Sequence, residues 1–184
     1  MIRPVTLLRR LPSRFRRDES GTSTVEFVIL FPLFMAIFFA AFESGYLMLR
    51  NVMLERSVDL AVRELRLGDP NPPTDVEFRQ QICDNAYYVS DCNNRVMVEL
   101  RPVDMTTWGP LPGPATCTNI SDPDSIQPPP YLTGGNNELM MVRVCALFEP
   151  MFPTTGLGLA MRRLPERPEY ALIVTTAYVN EPSR

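Results

Sequence analysis

The sequence predicts an α+β fold: a long N-terminal helix, half in a membrane and half above it, with a small antiparallel sheet packed on its outer half. Three observations carry this. Sixteen consecutive apolar residues, FVILFPLFMAIFFAAF, occupy positions 27–42, and an apolar stripe at helical spacing continues beyond them. Three later segments have the alternation or the β-branched and aromatic content of strands. At 184 residues the chain has room for one compact core plus appendages.

The first residues are basic. Positions 1–17 carry six arginines (Arg3, Arg9, Arg10, Arg14, Arg16, Arg17) and no acid, whereas the remainder carries 12 arginines against 21 acids, a net −9. The chain contains no lysine. A basic tail directly before an apolar run is the pattern of positive charge retained in the cytoplasm, and it is preferred to a nucleic-acid contact, so no nucleic-acid partner is expected.

Positions 27–49 amount to 23 residues. At about 1.5 Å per residue they cross a hydrocarbon core of about 30 Å. No polar face interrupts 27–42, which argues against a buried helix of a soluble domain. A cleaved secretory signal is disfavoured because Phe42 and Glu43 stand where a small-x-small site belongs. The helical stripe Leu47, Leu54, Val58, Ala61, Leu65 also continues to a stop at Gly68-Asp69-Pro70. The expected organisation is a cytoplasmic leader (1–21), a membrane helix (22–49), a helical extension (50–68) and an outer α+β domain (69–184). Two carboxylates interrupt the helix. Glu43 is expected to reach the headgroups, towards Arg50, while Glu26 borders hydrocarbon and requires a partner.

Just before that carboxylate the chain reads Gly21-Thr22-Ser23-Thr24-Val25-Glu26-Phe27, a basic leader, a glycine and a glutamate five residues on. This resembles the processing site of type IV prepilins. The longer string GTSTVEFVILFPLFMAIFFAAFESG, with Pro32 six residues after Glu26 and Glu43-Ser44-Gly45, resembles the TadE-like family, pseudopilins of tight-adherence (Flp-type) pilus systems. The closing Asn180-Glu181-Pro182 is similar to endings in that family. The likeness is close over residues 14–67 and holds in outline beyond.

The resemblance implies cutting after Gly21 by a prepilin peptidase, Thr22 as the new N-terminus, and a role for Glu26 and Phe27 in recognition or assembly. Phe27 departs from the tyrosine usual in major Flp pilins but is common in TadE-like members. It further implies a pilin-like layout, insertion in the bacterial inner membrane with the outer domain in the periplasm, and partners among pilus subunits and assembly-platform proteins. Cleavage would leave a net charge of −7 and an amine able to neutralise Glu26 of a neighbour. An unprocessed single-span scaffold with a periplasmic binding domain is the alternative.

In the outer domain Thr74-Asp75-Val76-Glu77 is a capping box, which predicts a short helix over 75–86. Strands are expected at 95–101, 139–148 and 170–179. Between the first two, residues 106–133 contain seven prolines and two of the nine glycines, a long loop unsuited to sheet. Four cysteines allow three connectivities. The one that tethers the loop pairs Cys117 with Cys145 and leaves Cys83 with Cys92. Such bridges fit an oxidising compartment. The stretch MFPTTGLGLAM at 151–161 is apolar and loop-like; it is expected to close the core, the other readings being a partner surface or a membrane contact.

Enzymatic activity is not expected. Without histidine there is no Ser-His or Cys-His nucleophile, and without lysine no P-loop or Schiff base. No C-x-x-C or histidine supports zinc. Asp122-Pro123-Asp124 is a candidate calcium or hydrolytic pair, read in preference as a solvated turn. No metal or cofactor is expected.

Overall fold

The computed structural model describes residues 22–67, 71–106, 113–154, 156–161 and 169–182. The basic leader and Gly21 lie outside the described residues. The chain divides into two compact units, Met1–Ala41 and Phe42–Arg184, so the division falls inside the 22–49 segment.

Helix α1 covers Thr22–Arg66 and includes Pro32. Among the described residues it is the one helix long and apolar enough to cross a membrane, with a mean hydropathy of 2.4 in its apolar window and none of that window buried. It fits a membrane anchor. Apolar helix without a polar face exposes Phe27, Leu30, Leu33, Phe34 and Ile37 around its circumference, which only lipid or other helices can solvate favourably.

In the second unit α1 turns amphipathic. Leu54, Val58, Ala61 and Leu65 are buried and Leu47 packs beside them. Short helix α2 (Asp75–Asn85) begins with the complete capping box, in which Thr74 accepts from the Glu77 backbone and Glu77 returns the bond to the Thr74 N–H at 2.8 Å. These bonds to its ionised form hold the Glu77 carboxyl below its ordinary range. A helical turn α3 (Cys92–Arg95) leads into β1 (Val96–Pro102).

Strands β1, β2 (Leu139–Phe148) and β3 (Tyr170–Val179) form an antiparallel sheet in the order β1-β2-β3. Val98 pairs with Val144, and Val144 with Val174. One sheet face, including Val96, Val98, Leu100, Val142, Val144 and Val174, joins the core with Phe78 and Ile82 of α2 and the buried stripe of α1. On the opposite face Glu99 faces Arg143 across the strands, and Met97 faces Cys145. Strand β2 is buried on both faces, unlike the one-sided alternation typical of a solvated antiparallel sheet.

The proline-rich loop supplies that second cover. It is tied down by the Cys117–Cys145 disulfide, while Cys83–Cys92 links α2 to α3; this is the connectivity that tethers the loop. Arg143 donates to the Gly113 carbonyl at 3.2 Å and to Glu99 at 3.4 Å, and Arg101 pairs with Glu99 at 2.5 Å. The loop touches the sheet in one place where none was expected. Tyr131 makes an isolated parallel bridge with Leu100, because Leu100 lies on an open edge with backbone groups to satisfy.

Helix α2 ends at Asn85 with Ala86 as its C-cap, within a residue of the expected end, since the backbone N–H of Ala86 closes on the Cys83 carbonyl. Two further expectations are corrected. Residues 151–161 are not wholly irregular: Gly156–Met161 forms a helical turn, α4; Met151 at 40% and Leu159 at 53% exposure lie on the surface, so those side chains do not close the core. The second concerns Glu43 and is described next.

Candidate functional site

Two regions are candidates for function, one in each unit. In the first, Thr22 opens α1, and Glu26 and Phe27 follow on exposed positions of the same helix. The Phe27 ring stacks on Phe31 one turn further on, with centroids 5.0 Å apart. Among the described residues Glu26 has no hydrogen-bonded or ionic partner, and Gly21 lies outside them. A carboxylate beside an unbroken apolar helix is able to accept a cation or hydrogen-bond donors from another chain.

The second region is built on Glu43, Tyr46, Leu47 and Arg50, which share one face of α1 at spacings of three, four and seven. Glu43 does not reach outward. It is 1% exposed and accepts the backbone N–H groups of Met151 at 2.9 Å and Phe152 at 3.0 Å, one on each carboxylate oxygen. A carboxylate taking two backbone donors replaces its water shell, and the Phe42 and Phe152 rings meet edge-on at 6.5 Å beside it. Gly158 lets the loop fold on itself: a Cβ there would collide with the Phe152 carbonyl.

Arg50 turns to the sheet rather than to Glu43. Its guanidinium donates to the Glu149 carbonyl and the Tyr170 hydroxyl, both at 2.9 Å, and lies 4.1 Å above the Tyr46 ring centroid. Burial pushes the Tyr170 phenol above its ordinary range, with Arg50 opposing. Glu149 itself pairs with Arg95 at 2.8 Å.

The sequence contained a signal for this arrangement. Glu43 precedes and Arg50 falls within the stripe Leu47, Leu54, Val58 at helical spacing, so a polar residue on those positions is drawn inward and needs a partner. What the sequence omits is the partner, a backbone more than 100 residues away.

The other candidate residues lie apart from this face of α1. The four cysteines form the two disulfides. Asp122 and Asp124 sit exposed about the 3₁₀ turn Pro123–Ser125, whose Ser125 hydroxyl donates to the Asp122 carbonyl at 2.7 Å. Among the described residues no group of three or more acids and cysteines could hold a metal ion. Asn180 closes the far end of β3, donating to the Thr133 and Gly135 carbonyls at 2.9 and 3.1 Å, while the Glu181 N–H donates to the Arg66 carbonyl.

Comparison with protein families matches residues 21–63 to the TadE-like protein family, the family of the Gly21–Glu26–Phe27 pattern. Comparisons with curated proteins and with solved structures give no match.

Proposed function

We propose, from a helix that is TadE-like over residues 21–63, that this protein is a minor pilin or pseudopilin acting in assembly of a tight-adherence (Flp-type) pilus. The observation that carries the reading is the order of parts: basic leader, Gly21, Glu26-Phe27, then an apolar helix with no buried window. The positive leader sets the N-terminus in the cytoplasm of a bacterial inner membrane and residues 50–184 in the periplasm, where the two disulfides are stable.

The mechanism is structural rather than catalytic. A prepilin peptidase cuts after Gly21, where glycine admits an extended backbone to the protease. The Thr22 amine so released pairs with Glu26 of an adjacent subunit, removing two unpaired charges from the edge of the hydrocarbon. The apolar face of α1 then packs beside other pilus subunits, and the outer domain meets subunits or the assembly platform.

The test is the N-terminal residue and intact mass of membrane-extracted protein, expressed with and without a cognate prepilin peptidase. The expected result is a peptidase-dependent start at Thr22 that Gly21→Arg abolishes. A chain still starting at Met1 beside active peptidase would replace this mechanism with an unprocessed single-span scaffold. A start near Ser44 would identify a secretory signal.

A further inference from the structure

We infer that residues 151–154 and 156–161 form a lipid-contacting ledge, seated in the outer-leaflet interface of the bilayer that α1 crosses; the inference rests on the membrane reading of α1. Four observations within the second unit converge on the bilayer as the occupant of this surface.

The first is continuity. The outward face of α1 in this unit is apolar at Phe42, Met48, Leu49 and Val52, 42–64% exposed, and its first outward charges are Glu55 and Arg56. The ledge attaches at Glu43, below that change, and adds Met151 and Leu159 at 40% and 53% exposure. Residues 151–161 contain no charged side chain. Together these residues make an apolar surface on this unit, which begins at Phe42, where the 27–42 run ends in the sequence.

The second is the layer above the ledge. Tyr46, Arg50 and Tyr170 join in one hydrogen-bonded group one to two turns further along α1 than Glu43. Tyrosine and arginine with apolar bodies and polar tips belong to the headgroup level.

The third is hydrogen bonding. An irregular backbone brought to hydrocarbon must have its N–H groups satisfied within the protein. Glu43 does this for Met151 and Phe152, and is thereby sealed from lipid itself. The fourth is compactness: Gly158, buried against the Phe152 carbonyl, folds the segment into a short ledge rather than an extended arm.

The experiment places a tryptophan on the ledge of the full chain and reads its quenching by phosphatidylcholine vesicles brominated on the acyl chains. Trp108, the chain's single tryptophan, is first replaced by phenylalanine. Leu159→Trp reports the ledge. Val179→Trp reports the opposite end of β3, beside Asn180 and the Arg66–Glu181 pair. For a side chain lying roughly 5–10 Å into the headgroup–acyl boundary, Leu159→Trp should lose about half or more of its emission, with Val179→Trp nearly unchanged. Met151→Trp repeats the reading should Leu159→Trp fail to keep the wild-type far-UV spectrum.

Ledge tryptophans left unquenched in a chain that resists carbonate extraction would overturn the ledge alone and assign the surface to a protein partner. Equal quenching at Val179→Trp would overturn it as well, since the domain would then have no preferred end. A chain released by carbonate would overturn the membrane reading and the ledge with it.

Discussion

Glu43 and Glu26 are the same residue type on one helix, and their surroundings separate their roles. Glu26 is exposed beside an apolar run and has no partner among the described residues. Glu43 is fully buried and spends both oxygens on backbone donors of the 151–161 segment. Replacing Glu43 by alanine leaves two N–H groups without acceptors and a space between α1 and that segment. The expected loss is roughly 2–4 kcal/mol, hydrogen bonds to a charged group being the stronger kind. Glu43→Gln keeps an oxygen for one donor and should lose less. Thermal denaturation of the detergent-solubilised chain measures both, and equal stability of Glu43→Ala and wild type would refute the buried contact. The analogous change at Glu26 is not expected to alter stability in isolation, because it has no partner among the described residues.

At the scale of elements, β3 ties the core to pH. Tyr178 on β3 is buried in the core and Tyr131, which bridges the loop to Leu100, is half-buried; burial pushes the Tyr178 phenol up to about 12 from its ordinary 10.0. Tyr131 is raised further, by burial first and then by Tyr178 nearby. A folded value above the unfolded one means that the fold holds the phenolic proton more tightly. This contribution is therefore complete below about pH 10 and is lost as pH rises through about 12. Far-UV circular dichroism in thiol-free buffer should show stability falling across that window. Tyr178→Phe should make the fall shallower, and an unchanged slope would exclude Tyr178 as its source.

For the whole molecule, the loop between β1 and β2 is part of the fold rather than an appendage. Its described residues 113–133 meet the sheet face opposite α1 and are held by Cys117–Cys145 and by the Arg143 bond to Gly113. The 28-residue separation of that disulfide implies about 3.5 kcal/mol of chain-entropy stabilisation, against about 2.5 for the nine-residue separation of Cys83 and Cys92. The double variant Cys117→Ala, Cys145→Ala should lower the denaturant midpoint and open residues 106–133 to proteolysis. Cys83→Ala, Cys92→Ala should lower it less and leave the loop protected. Equal proteolysis of the two variants would show that the disulfide does not hold the loop.

Patterns that depend on near neighbours were legible in the sequence by itself: the apolar run at 27–42, the stripe from Leu47 to Leu65, the capping box at Thr74 and Glu77, and the three strand segments. Each follows from helical or strand period and from local hydrogen bonding, which chain order alone specifies. The motif from Gly21 to Phe27 was legible for the same reason, and its family matches over 21–63. Tertiary structure alone decided the partners. It turned Glu43 inward onto the Met151 and Phe152 N–H groups and Arg50 onto Tyr170. It also buried β2 on both faces and left Met151 and Leu159 on the surface rather than in the core. The physical reason is common to all four. A buried polar group must find a donor or acceptor and an apolar face must find a cover. Which distant segment supplies them depends on how the chain closes, not on the residues beside them.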